Sequence, residues 1–178
     1  MRRRHASNRS PDALAHLDMK PSDLRPAAPA LLLGAALAGT LDLLYAFAFW
    51  GAKGVGPVRI LQSIASGWLG RDAYAGGAAT AVLGAVSHYG IVLAMAWTYY
   101  RVARAWPVLA RRPWVFGPLY GAVLYAVMTY AVVPLSAAGT GQWPGWQWSQ
   151  LAHLAAHMVL VGTTCALAAA HALRDARG

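Results

Sequence analysis

The sequence predicts an all-α fold, a four-helix transmembrane bundle with a short outer interfacial or re-entrant helix. Hydrophobic residues make up 58% of the 178 residues and charged residues only 12%, and the chain contains no Glu. The apolar residues form four long runs, and all 15 Lys and Arg residues lie outside these runs. A water-soluble domain of this length needs a more highly charged surface, so the composition indicates a membrane protein.

Residues 1–29 are polar, basic and rich in proline, and we expect a disordered cytoplasmic tail. The apolar run that follows, residues 30–50, is too long and too aromatic for the apolar region of a signal peptide. We therefore interpret it as a retained first span.

Three further apolar runs predict three more spans. Each exceeds the ~20 residues that cross a hydrocarbon core of ~30 Å. All should be helical, because lipid offers no hydrogen-bond partner to an exposed backbone group. The predicted spans are 30–50, 73–100, 114–135 and 147–171, within a membrane domain of residues 30–173 that ends in a cytoplasmic segment, 174–178.

Residues 56–70, between the first two spans, have their own helical pattern. Val58, Leu61, Ala65 and Trp68 recur at helical spacing, whereas the polar residues fall elsewhere on the helix. At about 14 residues the segment is too short to span a bilayer. It predicts an interfacial or re-entrant helix, and the alternative is an ordinary ordered loop.

Small residues predict which helix faces touch. In lipid no hydrophobic force draws helices together, so close contacts form where small side chains let the backbones approach. Three spans have such a stripe. The stripes are Ala35, Ala38, Gly39, Asp42 and Ala46 in span one, Gly76, Thr80, Gly84 and His88 in span two, and Gly117 and Gly121 in span three.

Four Asp or His residues lie deep inside the predicted spans, namely Asp42, His88, His153 and His157. Such groups are expensive in hydrocarbon and usually face the bundle interior or a water-filled cavity. Asp42 and His88 lie on the small-residue stripes. At 1.5 Å per residue, Asp42 and His157 are roughly 12–14 Å from the outer ends, His153 roughly 8 Å and His88 roughly 20 Å.

These four residues allow several kinds of site. They could be hydrogen-bonded packing groups or a proton or ion relay. Because His153 and His157 are four residues apart, they could also bind a transition metal together with Asp42. His88 is a further candidate ligand of that site. Haem b between His88 and a histidine of span four is a further alternative, although the two axial histidines of a haem should lie at the same depth and His88 lies deeper than His153 and His157.

Three functional hypotheses follow. The first is a non-enzymatic integral membrane protein whose outer Asp/His cluster binds a proton or a metal ion. The second is a structural or accessory subunit in a homo-oligomer or a larger membrane complex, and the third is a haem-bearing electron carrier. No Ser, Cys or Lys nucleophile has an evident base beside it, so no hydrolase motif is present. The positive charge that gives the net charge of +9 lies outside the apolar runs, as membrane topology signals do, so we expect a lipid bilayer as partner and no nucleic acid.

Several segments of the chain resemble a set of small four-span membrane proteins of proteobacteria and, more distantly, the YagU-like inner-membrane family. The resemblance covers roughly residues 30–173 and implies a four-span protein of the bacterial inner membrane, with a suggested link to acid tolerance and no defined biochemical activity. In the YagU-like family the segment before the span-four histidine is acidic, whereas here it reads QWSQLAH. The segments that carry the resemblance are GTLDLLYAFAFWG (39–51), RILQSIASGWLG (59–70), the span with His88, YGAVLYAVM (120–128), VVPLSAAG (132–139) and LAHLAAH (151–157).

The distribution of Lys and Arg predicts the orientation. Cytoplasmic segments of membrane proteins carry an excess of these residues. Twelve of the 15 fall in the tail, in the loop between spans two and three, and at the C-terminus, whereas only Lys53, Arg59 and Arg71 fall on the opposite side. Both termini are therefore predicted to be cytoplasmic.

Reporter fusions test this orientation. We expect fusions at Ser22 and Arg111 to report a cytoplasmic position and a fusion at Gly141 to report the outer side, because only this arrangement leaves the positive charge inside. Any other order of the three signals would mean that the number of spans or their direction is wrong.

Overall fold

The computed structural model describes residues 27–140, 145 and 147–175. Most of the predicted tail and the last three residues of the predicted cytoplasmic end lie outside these residues. Four helices are long and apolar enough to cross a membrane, and the described residues contain no strand. The chain is thus an all-α, multi-pass integral membrane protein with the four spans that the sequence predicts. The spans are α1 (Ala28–Gly51), α3 (Gly77–Ala105), α5 (Pro113–Leu135) and α6 (Ser149–Asp175).

Two shorter helices connect the spans. Helix α2 (Pro57–Leu69) lies between α1 and α3, and α4 (Pro107–Arg111) lies between α3 and α5. A proline stands in the first turn of α2, α4 and α5, where its missing N–H costs no hydrogen bond. Helix α3 begins later than the predicted residue 73, because residues 70–74 form a 3-10 turn and Gly77 takes a positive φ of 58°.

Helix α6 is the central helix of the bundle, since it packs against α1, α3 and α5. We call the half that contains Ala28, Ala105 and Asp175 the inner half, after the predicted orientation, and the opposite half the outer half. The inner half has a core in which the Tyr99 and Tyr100 side chains are almost fully buried. There the hydroxyl of Tyr120 on α5 donates to the carbonyl of Met95 on α3 at 2.9 Å, which ties these two spans together.

The small-residue stripe of span three forms a close contact, as the sequence predicts, and its partner is Gly162 of span four, which was not predicted. A Cβ atom added to Gly121 would overlap the backbone of His157 and Met158, and one added to Gly162 would overlap the backbone of Gly117 and Gly121. In lipid, such backbone proximity supplies the van der Waals contact that holds helices together. Glycine is therefore required at this crossing.

Helix α2 confirms the predicted short helix, and the alternative of an ordinary loop is wrong. It packs on the outer half of α3 at Gly84, where an added Cβ atom would overlap the carbonyl of Leu61. Trp68 donates from its indole nitrogen to Ser87 Oγ at 3.0 Å. Ser87 is ten residues into α3, roughly 15 Å along the helix. The carbonyl of Gly67 accepts a hydrogen bond from the backbone N–H of Ala137, just beyond the end of α5, so α2 lies across the outer halves of α3 and α5.

Two of the spans contain π-helical segments that the sequence analysis did not predict, Met128–Val132 in α5 and His157–Gly162 in α6. In α5 the cause is local: Pro134 has no N–H to donate to the carbonyl of Tyr130, and its ring would collide with that carbonyl in a regular α-helix. In α6 the hydroxyl of Thr163 donates to the carbonyl of Met158 at 2.9 Å, which satisfies a carbonyl near the irregular turn.

The contact between α2 and α3 at Gly84 can be tested with a matched pair of variants. Alanine favours a helix over glycine by roughly 1 kcal/mol, so Gly90→Ala, at a position with open space around it, should leave stability unchanged or raise it. Gly84→Ala should lower the melting temperature in detergent, because its Cβ atom meets the α2 backbone and overpacking costs about 1–3 kcal/mol. Equal melting curves for the two variants would mean that α2 does not rest on α3.

Candidate functional site

A cavity of about 570 Å³ lies in the outer half between α1, α2 and α3. Its walls combine apolar side chains from α1 and α2 with five polar or charged residues. Those five are Asp42, Arg59, Ser63, Tyr74 and His88. The cavity therefore contains two of the four ionisable residues that the sequence analysis singled out, together with an arginine that it did not.

Asp42 and His88 lie beside each other in this cavity. His88 Nε2 is 3.0 Å from the carbonyl oxygen of Gly39 and 4.0 Å from Asp42 Oδ2. The His88 residue is 9% exposed and the Asp42 side chain 18%, so both are largely removed from solvent. The close approach depends on Gly39, since an added Cβ atom there would lie 2.9 Å from the Tyr89 ring.

The contact with Gly39 fixes the tautomer of His88. A carbonyl oxygen can only accept a hydrogen bond, so Nε2 carries a proton and donates it. In the neutral imidazole the remaining lone pair is on Nδ1, which is then the basic nitrogen. The 4.0 Å separation from the carboxylate is an ion-pair distance rather than a hydrogen bond. A second proton on this ring would create a cation next to the Asp42 carboxylate.

Arg59 and Tyr74 lie together on the same cavity. The guanidinium carbon of Arg59 is 3.9 Å from the centroid of the Tyr74 ring, a cation–π contact. Arg59 is an exposed residue, whereas Asp42 is not. The cavity therefore presents positive charge near its exposed wall and negative charge in its interior.

His153 belongs to an aromatic cluster at the outer end of α1 rather than to the cavity. Its Nδ1 shares a hydrogen bond of 3.0 Å with the hydroxyl of Tyr45. Its ring is 4.5 Å from that of Phe49, between centroids, and stacks nearly parallel to Trp50 at 5.8 Å. The ammonium of Lys53 lies over the Phe49 and Trp50 rings at 4.2 and 4.7 Å. These contacts hold the His153 imidazole in place.

His157 opens the π-helical segment of α6. Its Nδ1 donates to the carbonyl oxygen of His153 at 3.0 Å, and its ring packs edge-on against Tyr125 at 5.6 Å. One imidazole nitrogen is thus engaged by the histidine's own helix. Such a contact is typical of a polar side chain that is satisfied within its span.

The structure does not assemble the metal site that the spacing suggests. Asp42 is paired with His88, whereas His153 and His157 are held by Tyr45 and by a backbone carbonyl. Across the described part of the chain, no group of three or more His, Cys, Asp or Glu side chains could hold a metal ion. For the haem alternative, His88 lines the outer cavity whereas neither His153 nor His157 does, and haem binding stays a prediction.

Arg59 is a site residue that was not predicted from the sequence, where it counts only as a positive charge on the outer side. A signal was available in the spacing. Arg59, Ser63 and Gly67 are four residues apart, as are Ile60, Ile64 and Trp68, so all six lie on one side of α2. Such a side combines a charge, a hydroxyl and apolar groups, which is typical of a helix that lines a cavity rather than one that only packs.

The hydrogen bond between Tyr45 and His153 can be tested by Tyr45→Phe. Hydrogen bonds between membrane helices contribute about 0.6 kcal/mol on average and at most about 1.7. We expect Tyr45→Phe to lower the free energy of unfolding in mixed detergent micelles by an amount in this range. Tyr130→Phe is the control, since Tyr130 has no hydrogen bond within the described residues. An equal effect of the two changes would contradict a role for this bond.

No family model, curated protein or solved structure matches this chain. The functional assignment therefore depends on the residues of the outer cavity and on their geometry.

Proposed function

We propose that this chain is a multi-pass protein of the bacterial inner membrane, with both termini cytoplasmic, that takes up a proton at the Asp42–His88 pair from the outer side. The observation that supports this proposal most directly is the 570 Å³ outer cavity, which has Asp42 and His88 in its wall. The excess of Lys and Arg at the opposite end supports the orientation. The resemblance to the YagU-like family supports the inner membrane, and membership of that family is part of the proposal.

A proton suits this pair better than a metal ion does. Asp42 and His88 offer two side-chain donors, whereas structural zinc sites use four ligands and catalytic zinc sites three. A proton needs only one base and a neighbour that stabilises the resulting charge. The His88 imidazole is such a base, and the Asp42 carboxylate at 4.0 Å is such a neighbour.

The proton would act on the packing of the first two spans. His88 belongs to α3, and its hydrogen bond to Gly39 as well as its ion pair with Asp42 reach α1. At 4 Å and an effective dielectric constant of about 20, two unit charges attract by about 4 kcal/mol before desolvation is subtracted. A change of charge on His88 would therefore change how firmly α1 and α3 are joined. The proposed role is a non-enzymatic response to protons on the outer side.

The test is the stability of the wild type and of Asp42→Asn in detergent at pH 8 and at pH 5.5. A protonated His88 gains attraction from the Asp42 carboxylate in the folded protein and none from an amide. On acidification we therefore expect the melting temperature of the wild type to rise, by a few degrees, relative to that of Asp42→Asn. Proton uptake by the purified proteins in weakly buffered solution should be larger for the wild type over the same interval.

Asp72→Asn is the matched control, because Asp72 is an exposed carboxylate in the 3-10 turn outside the cavity. It removes the same charge from the outer side and should keep the response of the wild type. The proposal is wrong if wild type and Asp42→Asn respond alike to acidification, or if Asp72→Asn loses the response to the same extent.

A further inference from the structure

We propose that the outer cavity and a neighbouring apolar groove together bind one phospholipid molecule with a phosphoethanolamine headgroup, which enters sideways from the outer leaflet. This inference goes beyond proton uptake, although it shares Asp42 with that proposal. It depends on three observations: a lateral groove in the outer half, the position of this groove beside the outer cavity under α2, and the two opposite charges in the cavity.

The lateral groove lies between the outer halves of α3 and α5. These spans are joined in the inner half by the Tyr120–Met95 hydrogen bond. In the outer half a groove of about 520 Å³ lies beneath α2, with α5 on one side and Ile91 of α3 on the other, and most of its lining is apolar. Leu135, in its wall, is 86% exposed. In a bilayer this groove faces acyl chains, so a lipid chain can enter it without crossing a polar barrier.

The groove adjoins the outer cavity along α2. Ser63 and Ile64 line both spaces. On α2 the cavity begins at Arg59 and Ile60, and the groove ends at Gly67 and Trp68, so one side of this helix covers both. A molecule under α2 would therefore meet charged and hydroxyl groups at one end and hydrocarbon at the other. That pattern fits an amphiphile.

The charges in the cavity select a headgroup that carries both signs. The guanidinium of Arg59 can bind a phosphate with two parallel hydrogen bonds, and the carboxylate of Asp42 can accept from a primary ammonium. Ser63 donates its own proton to the carbonyl of Ile60 at 2.7 Å and keeps its lone pairs for the ammonium. A headgroup with a phosphate and no amine would leave Asp42 uncompensated near a second negative charge, which disfavours anionic lipids.

The test measures lipid bound to the purified protein by native mass spectrometry. The probes are phosphatidylethanolamine and phosphatidylglycerol with identical acyl chains. We expect the wild type to bind the ethanolamine lipid about tenfold more tightly, the equivalent of one charge-assisted hydrogen bond. Arg59→Gln should weaken both lipids, whereas Asp42→Asn should weaken only the ethanolamine lipid. Equal binding of the two lipids to the wild type would overturn the assignment of the headgroup.

A second pair of variants tests the groove. Ile91→Trp places a large ring in the groove, whereas Val86→Trp places the same ring on an exposed position of the same helix. We expect Ile91→Trp to lose the bound phosphatidylethanolamine and Val86→Trp to keep it. Undiminished binding by Ile91→Trp would overturn the lateral site. Ile91 is not part of the Asp42–His88 pair, and loss of a lipid that competes for Asp42 can only favour proton uptake. Ile91→Trp should therefore respond to acidification at least as strongly as the wild type, so the two proposals can fail separately.

Discussion

The outer half of this protein depends on the contact between the α2 backbone and Gly84 of α3. Helix α2 supplies Arg59 and Ser63 to the cavity and Gly67 and Trp68 to the groove. Both spaces would therefore lose one wall if α2 did not lie against the spans. In hydrocarbon nothing but close packing and hydrogen bonds can hold it there. Gly84 provides the packing, since a Cβ atom would meet the carbonyl of Leu61. Gln62 adds a hydrogen bond of 3.0 Å to the carbonyl of Gly77, which fixes α2 at the start of α3.

The polar groups inside the spans are likewise held by contacts with close neighbours. Buried polar atoms in a membrane are costly unless they are paired, and the histidines here are paired with what is nearest. His157 uses a carbonyl of its own helix, His153 uses a tyrosine of α1, and His88 uses the carbonyl of Gly39. Of these three histidines, only His88 has a carboxylate beside its imidazole, and both His88 and that carboxylate, Asp42, line the outer cavity. This difference separates a histidine that is satisfied by packing from one that can take part in proton uptake.

The sequence predicted the number of spans, the short helix between the first two spans and faces on which helices touch, because hydropathy, helical periodicity and small-residue spacing determine these directly. It also placed Asp42 and His88 in the interior. It did not predict that they pair with each other. Counting residues gives a depth along an ideal helix axis, and this count put Asp42 level with His157. The rotation of each helix decides which side chains meet, and the π-helical turn that begins at His157 changes that rotation in a way no spacing reveals.

The two proposals share one carboxylate, and thermodynamic linkage constrains how they combine. A protonated His88 and the ammonium of a lipid headgroup are both cations that would be stabilised by Asp42, and they repel each other. If both bind, each weakens the other by the same factor, because coupling between two ligands is reciprocal. Acidification would then release the lipid headgroup from the cavity, and a bound lipid would oppose proton uptake. The headgroup would lie in the cavity and the acyl chain in the groove, which are separate spaces. Acidification could therefore displace the headgroup from Asp42 while the acyl chain remains under α2.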